Sequence, residues 1–168
     1  MALLVKEGYG QIEPNHLSAQ RNGQIYAQLP CNSEIKVLQN AQFVKYAYAD
    51  GEVNFTGDGE WMLVYNEVKL YDPKHSYKDF KFDVKDFFDG KLVPRVMKTM
   101  PGDIFTTNLI ELGAKTAETI AVKDKLTVNA EGVLEVVADA AGSNFVWQVV
   151  KVYTMADGQP AVKIQRIV

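Results

Sequence analysis

Side chains that commonly perform catalysis or bind metals are scarce in this chain. Its 168 residues include one cysteine, Cys31, and two histidines, His16 and His75. A cysteine, a histidine and a carboxylate can form a nucleophile, a base and an orienting group. However, the neighbours of Cys31 suggest neither a helix N-terminus nor a basic pocket that would lower its pKa. We therefore expect Cys31 to be a small packing residue, and we predict no catalytic residue and no enzymatic activity.

Acidic residues and glycines cluster between residues 50 and 60. Asp50-Gly51-Glu52 is followed by Gly57-Asp58-Gly59-Glu60. Carboxylates and turn carbonyls are calcium ligands, but the spacing is not that of an EF-hand loop. The second stretch does not lead into Gly-Lys-Ser/Thr, so it is not a phosphate-binding loop. Turns select Asp and Gly for conformational reasons, and we therefore predict no metal site and no cofactor.

The composition is that of a folded and mildly acidic protein. Lys and Arg number 18 against 21 Asp and Glu, and 47% of the residues are hydrophobic. Proteins dedicated to nucleic-acid binding normally carry an excess of basic charge, so we expect no direct nucleic-acid binding. No run approaches the ~20 apolar residues that span a bilayer, and Lys6 and Glu7 interrupt the apolar start before a signal sequence forms. We expect no membrane contact and synthesis in a cytoplasm.

Short apolar runs separated by turn signals predict a mainly β fold. Asp50-Gly51 and Asp157-Gly158 are typical of hairpin turns, because glycine accepts the positive φ of a primed turn. Residues 80–84 alternate in polarity as an edge strand does, and only residues 110–122 and 84–88 suggest a helix. The regular spacing favours an antiparallel barrel or sandwich over a parallel α/β sheet. The predicted strands span residues 24–29, 43–48, 52–56, 61–65, 92–97, 104–108, 125–128, 133–137, 145–153 and 161–167.

The first 23 residues differ from the rest of the chain. They are polar and rich in turn residues, and their isolated apolar residues Tyr9, Ile12 and Leu17 follow neither a helical nor a strand period. We predict an extended N-terminal arm over residues 1–23. It is either a frayed surface loop or an arm that orders against a neighbouring subunit, with those three residues as anchors. Residues 24–168 are predicted to form the β-rich domain, and a division into subdomains 24–88 and 89–168 is a second interpretation.

Two stretches resemble small virion structural proteins of tailed bacteriophages. The first is Asp89-Gly90-Lys91-Leu92-Val93-Pro94-Arg95-Val96, followed by Pro101-Gly102-Asp103-Ile104-Phe105-Thr106-Thr107-Asn108. The second runs from Gly132 through the hairpin signal Asp157-Gly158 to Pro160. The order of a Gly-Asp strand start, a Gly-closed hairpin and a last Asp-Gly hairpin is similar to capsid decoration proteins with a β-barrel or β-tulip core. The resemblance covers residues 89–168, and its motifs are turn signatures.

The resemblance implies a virion protein that binds and stabilises the capsid shell. The implied partners are the major capsid protein and copies of this chain, as a dimer or trimer, because symmetry multiplies weak contacts. Aromatic residues and arginine suit interface cores, as do the apolar anchors of the arm. The predicted partner-contact residues are Tyr9, Ile12, Leu17, Tyr77, Phe88 and Arg95.

Two other hypotheses stay open. The first is another virion component, such as a head fibre base, a connector or a tail protein. The second is a carbohydrate-binding β-domain that stacks a sugar on Trp61, Tyr65 or Trp147.

Overall fold

The computed structural model describes residues 2–21, 27–66, 82–83 and 92–168, and these form a mainly β protein. The predicted fold class, mainly β with an antiparallel barrel-like core, is confirmed. One helical turn, α1 Ser18–Arg21, follows the first strand. The strands are β1 Ile12–His16, β2 Ala27–Gln28, β3 Val37–Leu38, β4 Phe43–Ala47, β5 Glu52–Asn54, β6 Met62–Val64, β7 Phe82–Asp83, β8 Arg95–Met97, β9 Ile104–Thr107, β10 Ile110–Glu111, β11 Lys125–Val128, β12 Leu134–Val137, β13 Trp147–Thr154 and β14 Pro160–Arg166.

Seven strands form the larger sheet, in the order β1-β9-β14-β13-β11-β12-β10. Its longest pair is the hairpin of β13 and β14, whose register runs from Trp147 opposite Arg166 to Thr154 opposite Pro160. Gly158 has a φ of 85° in the turn of this hairpin, as the Asp-Gly signal predicts. Among the described strand pairs only β10 and β12 run parallel.

The N-terminal segment, residues 2–19, contacts both edges of the larger sheet. At one edge β1 pairs with β9. At the opposite edge Leu3 forms a bridge with Glu111 of β10, and the Leu4 amide donates to the Ile110 carbonyl at 2.8 Å. One segment therefore links the first and last strands, and its backbone occupies bonding groups that open sheet edges leave unpaired.

This segment contains a strand that its sequence does not signal. Ile12–His16 forms β1, although Pro14 and two polar neighbours hide any alternation of apolar and polar residues. Proline is tolerated on an edge strand, where one side of the backbone needs no partner. The pairing surface is supplied by β9, so tertiary structure decides the conformation here.

The helix suggested over residues 110–122 is not present. Ile110–Glu111 is β10, and the chain then continues through turns. Gly113 has a φ of 57°, and a Cβ added there would lie 2.5 Å from the Val136 carbonyl oxygen. The chain passes so close to β12 at this point that a continuous helix does not fit.

The smaller sheet has the order β2-β8-β6-β4-β5, and its first four strands curl into an antiparallel half-barrel. Both faces of its strand β6 are buried. Phe43 and Leu63 lie opposite each other in register and pack into the core of the larger sheet. Their neighbours Val44 and Met62 pack into a second core on the other face. A strand buried on both faces reads as an unbroken apolar run, which is the pattern of Met62–Val64.

The remaining strand predictions fall into three groups. The strands predicted over residues 43–48, 52–56, 61–65, 104–108, 125–128, 133–137, 145–153 and 161–167 are confirmed. Shorter strands are present in three predicted regions, as β2, β7 and β8, and β7 pairs with β3 in a two-stranded sheet. The strand β8 belongs to the half-barrel, where it pairs with β2 and β6. The helix suggested over residues 84–88 lies outside the described residues.

Four aromatic rings occupy the centre of the larger core. Phe43, Phe105, Phe145 and Trp147 contact one another with ring centroids between 5.0 and 6.4 Å apart. Phe43 comes from the half-barrel, whereas the other three come from the larger sheet and its loops. This cluster therefore joins the two sheets, at a contribution of roughly 0.5–1.5 kcal/mol per aromatic pair beyond burial.

Candidate interaction surface

The predicted contact residues of the N-terminal segment lie against this chain's own body. Leu17 is 2% exposed and belongs to the larger core, and Ile12 is half-buried against the same core. Tyr9 is half-buried as well. In this structure Leu17 is thus already covered, whereas Tyr9 keeps part of its surface open to a partner.

The other predicted contact residues lie in the second half of the chain. Arg95 is half-buried on β8, and its backbone amide donates to Oδ1 of Asn66 at 2.8 Å. Tyr77 and Phe88 lie outside the described residues. Among the predicted contacts after residue 23, the structure therefore places only Arg95.

Buried polar side chains hold the N-terminal segment in place. Asp103 is 1% exposed, and its Oδ1 accepts hydrogen bonds from the amide and the hydroxyl of Ser18 at 2.9 and 2.6 Å. Its Oδ2 accepts from the amide of Met100 at 2.9 Å. Nearer the start of the segment, Oε1 of Gln159 accepts a hydrogen bond from the Lys6 amide at 3.2 Å. Bonds to a buried carboxylate are among the stronger ones in proteins, so the segment is an integral part of the body.

Cys31 lies in the half-barrel core, where it is 7% exposed. Burial raises the pKa of its thiol to about 12, and the carboxylate of Glu52 adds to the rise. A thiol must lose its proton to act as a nucleophile, so this position makes Cys31 unreactive near neutral pH. His75, the base considered with it, lies outside the described residues.

The acidic residues between positions 50 and 60 do not converge on one point. Glu52 accepts a hydrogen bond from Asn32 at 2.5 Å, and Glu60 pairs with Lys98 at 3.0 Å. Nowhere in the part of the chain that the structure describes do three His, Cys, Asp or Glu side chains come close enough to hold a metal ion.

A groove of about 330 Å³ opens where the two sheets meet. The half-barrel side contributes Lys45 of β4 and residues 58–61, which follow β5. The larger sheet contributes Asn144, Phe145 and Arg166. We call it the Arg166 groove, because this arginine is the charged side chain that its surroundings hold most firmly.

Arg166 is fixed by three hydrogen bonds and one ring contact. Its Nε donates to the backbone oxygen of Val168 at 2.8 Å, and its Nη1 donates to the carbonyl of Thr99 and, at 3.2 Å, to the Thr99 hydroxyl. The guanidinium carbon lies 4.3 Å from the centroid of the Phe145 ring. Burial lowers the pKa of Arg166, and the nearby carboxylates of Glu60 and Asp103 oppose that change. An arginine stays protonated in proteins, so the groove holds an oriented positive charge.

A second cation–aromatic pair lies in the same groove. Nζ of Lys45 is 4.8 Å from the centroid of the Trp61 ring, and Trp61 packs against the larger core. Three aromatic residues were candidates for sugar stacking. Trp147 cannot stack on a sugar, because it is 0% exposed at the centre of that core. Tyr65 is half-buried. Trp61 alone of the three lines the groove, and there the ammonium of Lys45 lies over its ring.

Exposed large apolar side chains follow, along the chain, residues that line the groove or bind its members. Met100, which is 58% exposed, follows the Thr99 that binds Arg166, and the exposed Ile167 and Val168 follow Arg166 itself. Tyr48 is 57% exposed and contacts the ring of Tyr46, whose carbonyl accepts a bond from the Gly59 amide at 3.0 Å. We call the groove and these residues the Arg166 surface: Tyr48, Met100, Ile167 and Val168 together with Lys45, Asp58, Gly59, Glu60, Trp61, Asn144, Phe145 and Arg166.

Of this surface, the sequence indicated a possible role only for Trp61 and for the acidic, glycine-rich turn before it. The members of the surface come from residues 45–61, 100, 144–145 and 166–168, and no local pattern connects them. The one available signal was Trp61, an aromatic residue directly after an acidic, glycine-rich turn.

No protein family, no curated protein and no solved structure matches this chain. Among the described residues, no helix has the length and apolar character needed to cross a membrane. The resemblance to capsid decoration proteins and the virion location that it implies therefore stay predictions.

Proposed function

We propose that this chain is a structural protein that binds a capsid shell and stabilises it, and that the Arg166 surface is its contact with the shell. The observation that carries the proposal is the composition of this surface. Interface cores are enriched in Tyr, Trp, Met and Arg, and the surface combines Tyr48, Trp61, Met100 and Arg166. Two of these side chains are more than half exposed, although burying them would stabilise the fold.

The fold supports such a role because its binding surface is already formed. The aromatic core joins the two sheets, and Arg166 is held by Thr99, Val168 and Phe145 before any partner arrives. A preformed surface loses less conformational entropy on binding. In a shell that presents many equivalent sites, a modest contact in each copy is sufficient, and self-association into a dimer or trimer would strengthen attachment further.

The test is co-sedimentation of the purified full-length chain with empty shells assembled from the major capsid protein encoded nearest to it. We expect the chain to sediment with the shells and to raise their melting temperature. Met100→Lys places a charge directly after Thr99, which binds Arg166, and should weaken binding about tenfold or more. Val122→Lys is the matched control, since Val122 is 54% exposed and lies outside that surface.

Failure of the unmodified chain to bind shells would overturn the proposed function. Binding that Met100→Lys and Val122→Lys leave equally intact would keep shell attachment but reject the Arg166 surface as the contact. Copy number distinguishes a decoration protein from the other virion hypotheses, because decoration copies follow the number of capsid subunits whereas connectors form a single ring.

A further inference from the structure

We infer that the Arg166 groove binds an acidic side chain, Asp or Glu, presented by a segment of the partner protein. This inference rests on the proposed function and specifies the chemistry of its partner.

The guanidinium of Arg166 is only partly satisfied by the protein. Its Nε and Nη1 donate to Val168 and Thr99, but no described residue accepts a hydrogen bond from its Nη2. The group is also 8% exposed and stacked on Phe145, so its orientation is fixed. A fixed guanidinium with a free N–H group is a strong receptor for a carboxylate, because charge-assisted hydrogen bonds are shorter and stronger than neutral ones.

Lys45 supplies a second donor in the same groove. Its ammonium lies over the Trp61 ring and forms no ion pair with a described residue. The two carboxylates that face the groove belong to Asp58 and Glu60, and Glu60 is bound to Lys98 at 3.0 Å. Lys45 Nζ and Arg166 Nη2 are therefore two donors of the groove with no acceptor among the described residues, and a carboxylate from a partner would supply one.

The apolar surroundings define the rest of the partner segment. Met100 follows Thr99, which binds Arg166, and Ile167 follows Arg166 itself; both are exposed and available to an apolar residue next to the acidic one. Contact by such a residue would remove water from the groove, and charge pairs gain strength as water is excluded. The expected ligand is thus a short segment with one acidic and one adjacent apolar residue.

Two dipeptides test this inference on the intact chain without any shell. The probes are N-acetyl-Phe-Glu-amide and its neutral counterpart N-acetyl-Phe-Gln-amide, titrated at millimolar concentrations while ¹H–¹⁵N spectra are recorded. We expect the acidic peptide to shift the indole N–H signal of Trp61 and the backbone signals of Lys45 and Asn144, with an affinity about tenfold above that of the neutral peptide. The fully buried Trp147 provides an internal reference signal.

Lys45→Met should weaken binding of the acidic peptide about fivefold. Lys151→Met is the matched control, because Lys151 also lies over an aromatic ring, 5.9 Å from the centroid of Tyr153, but outside the groove. Arg166→Lys keeps the positive charge but removes the planar guanidinium with its several N–H donors. It should abolish the preference for the acidic peptide. If this variant does not fold, Lys45→Met still tests the inference.

Equal shifts with both peptides, no shifts, or shifts confined to residues outside the groove would overturn the inference. The result is independent of the shell experiment. If the chain sediments with shells but does not prefer the acidic peptide, the carboxylate site is rejected and the proposed function stands. If the chain prefers the acidic peptide but does not bind shells, the proposed function is rejected and the carboxylate site stands.

Discussion

The N-terminal segment and the Arg166 surface both carry apolar side chains, but they use them in opposite ways. Leu4 and Leu17 of the segment are 1% and 2% exposed in the larger core, whereas Tyr48 and Met100 of the surface are more than half exposed. Residue type therefore does not show whether an apolar side chain serves the fold or a partner. The exposure of the side chain in the structure does show this. For this reason we propose the Arg166 groove, and not the N-terminal segment, as the contact with a partner.

The difference has an energetic basis. Burying a leucine side chain contributes roughly 1.5–3 kcal/mol to folding, so each buried leucine of the segment holds it to the body. The exposed residues of the surface contribute little to stability while no partner is bound. Mutations in the two regions should therefore have separable effects on folding and on binding.

Truncation of Leu17 is expected to have the largest effect on stability. Leu17→Ala leaves a cavity in the larger core and should lower the free energy of unfolding by about 2–5 kcal/mol. Met100→Ala, its counterpart on the surface, should change it by less than about 0.5 kcal/mol. Urea denaturation measures both, and similar losses would contradict the distinction between the two regions.

The Asp103 side chain binds both the segment and the surface, through Ser18 and the amide of Met100. Asp103→Ala leaves three hydrogen bonds without their acceptor, and we expect a loss of about 2–4 kcal/mol. Thermal and chemical unfolding of this variant should both show it. A stable Asp103→Ala protein would mean that the segment is held by its leucines alone.

Cys31 lies outside both regions and provides a pH-dependent reference. Its folded pKa of about 12 exceeds the ordinary value of 9.0, so the folded state holds the proton more tightly than the unfolded state does. The stabilisation is complete below pH 9 and decreases between about pH 9 and 12, by about 1.4 kcal/mol for each pH unit.

The measurement is the difference in unfolding free energy between the unmodified chain and Cys31→Ala across that range. The subtraction removes the contribution of the lysines and tyrosines that titrate there too. A difference that stays constant with pH would show that the thiol is not buried as described.

Ser18→Ala should have a smaller effect than Leu17→Ala or Asp103→Ala, about 1 kcal/mol, because it removes one hydroxyl bond at the start of α1 and leaves the backbone amide bonded to Asp103. Hydrogen exchange of residues 12–19 would then rise while exchange around Arg166 stays the same. An equal rise in both regions would indicate that the segment and the surface open together.

The strands predicted correctly share strong local signals. Asp50-Gly51 and Asp157-Gly158 set hairpin turns, and the neighbouring runs alternate or are continuously apolar. Local chemistry is sufficient in these cases because each strand pairs with its neighbour in sequence. The pairs β4–β5 and β13–β14 are of this kind.

The errors arise where distant residues decide the conformation. β1 pairs with a strand about 90 residues later, and the alanines of residues 114–121 suggest a helix that the close approach of Gly113 to Val136 prevents. The sequence did not predict the Arg166 groove for the same reason. Lys45, Trp61 and Arg166 meet only after both sheets have formed, and nothing in their local sequence marks that meeting.

Hydrogen exchange of the full-length chain, free and bound to shells, tests the central claim most directly. We predict that residues 2–19 are protected in the free chain and do not change on binding, whereas residues 57–61, 98–100 and 144–146 gain protection. The opposite pattern, with new protection in residues 2–19 and none around Arg166, would contradict the account and return the N-terminal segment to the role of a partner-binding arm.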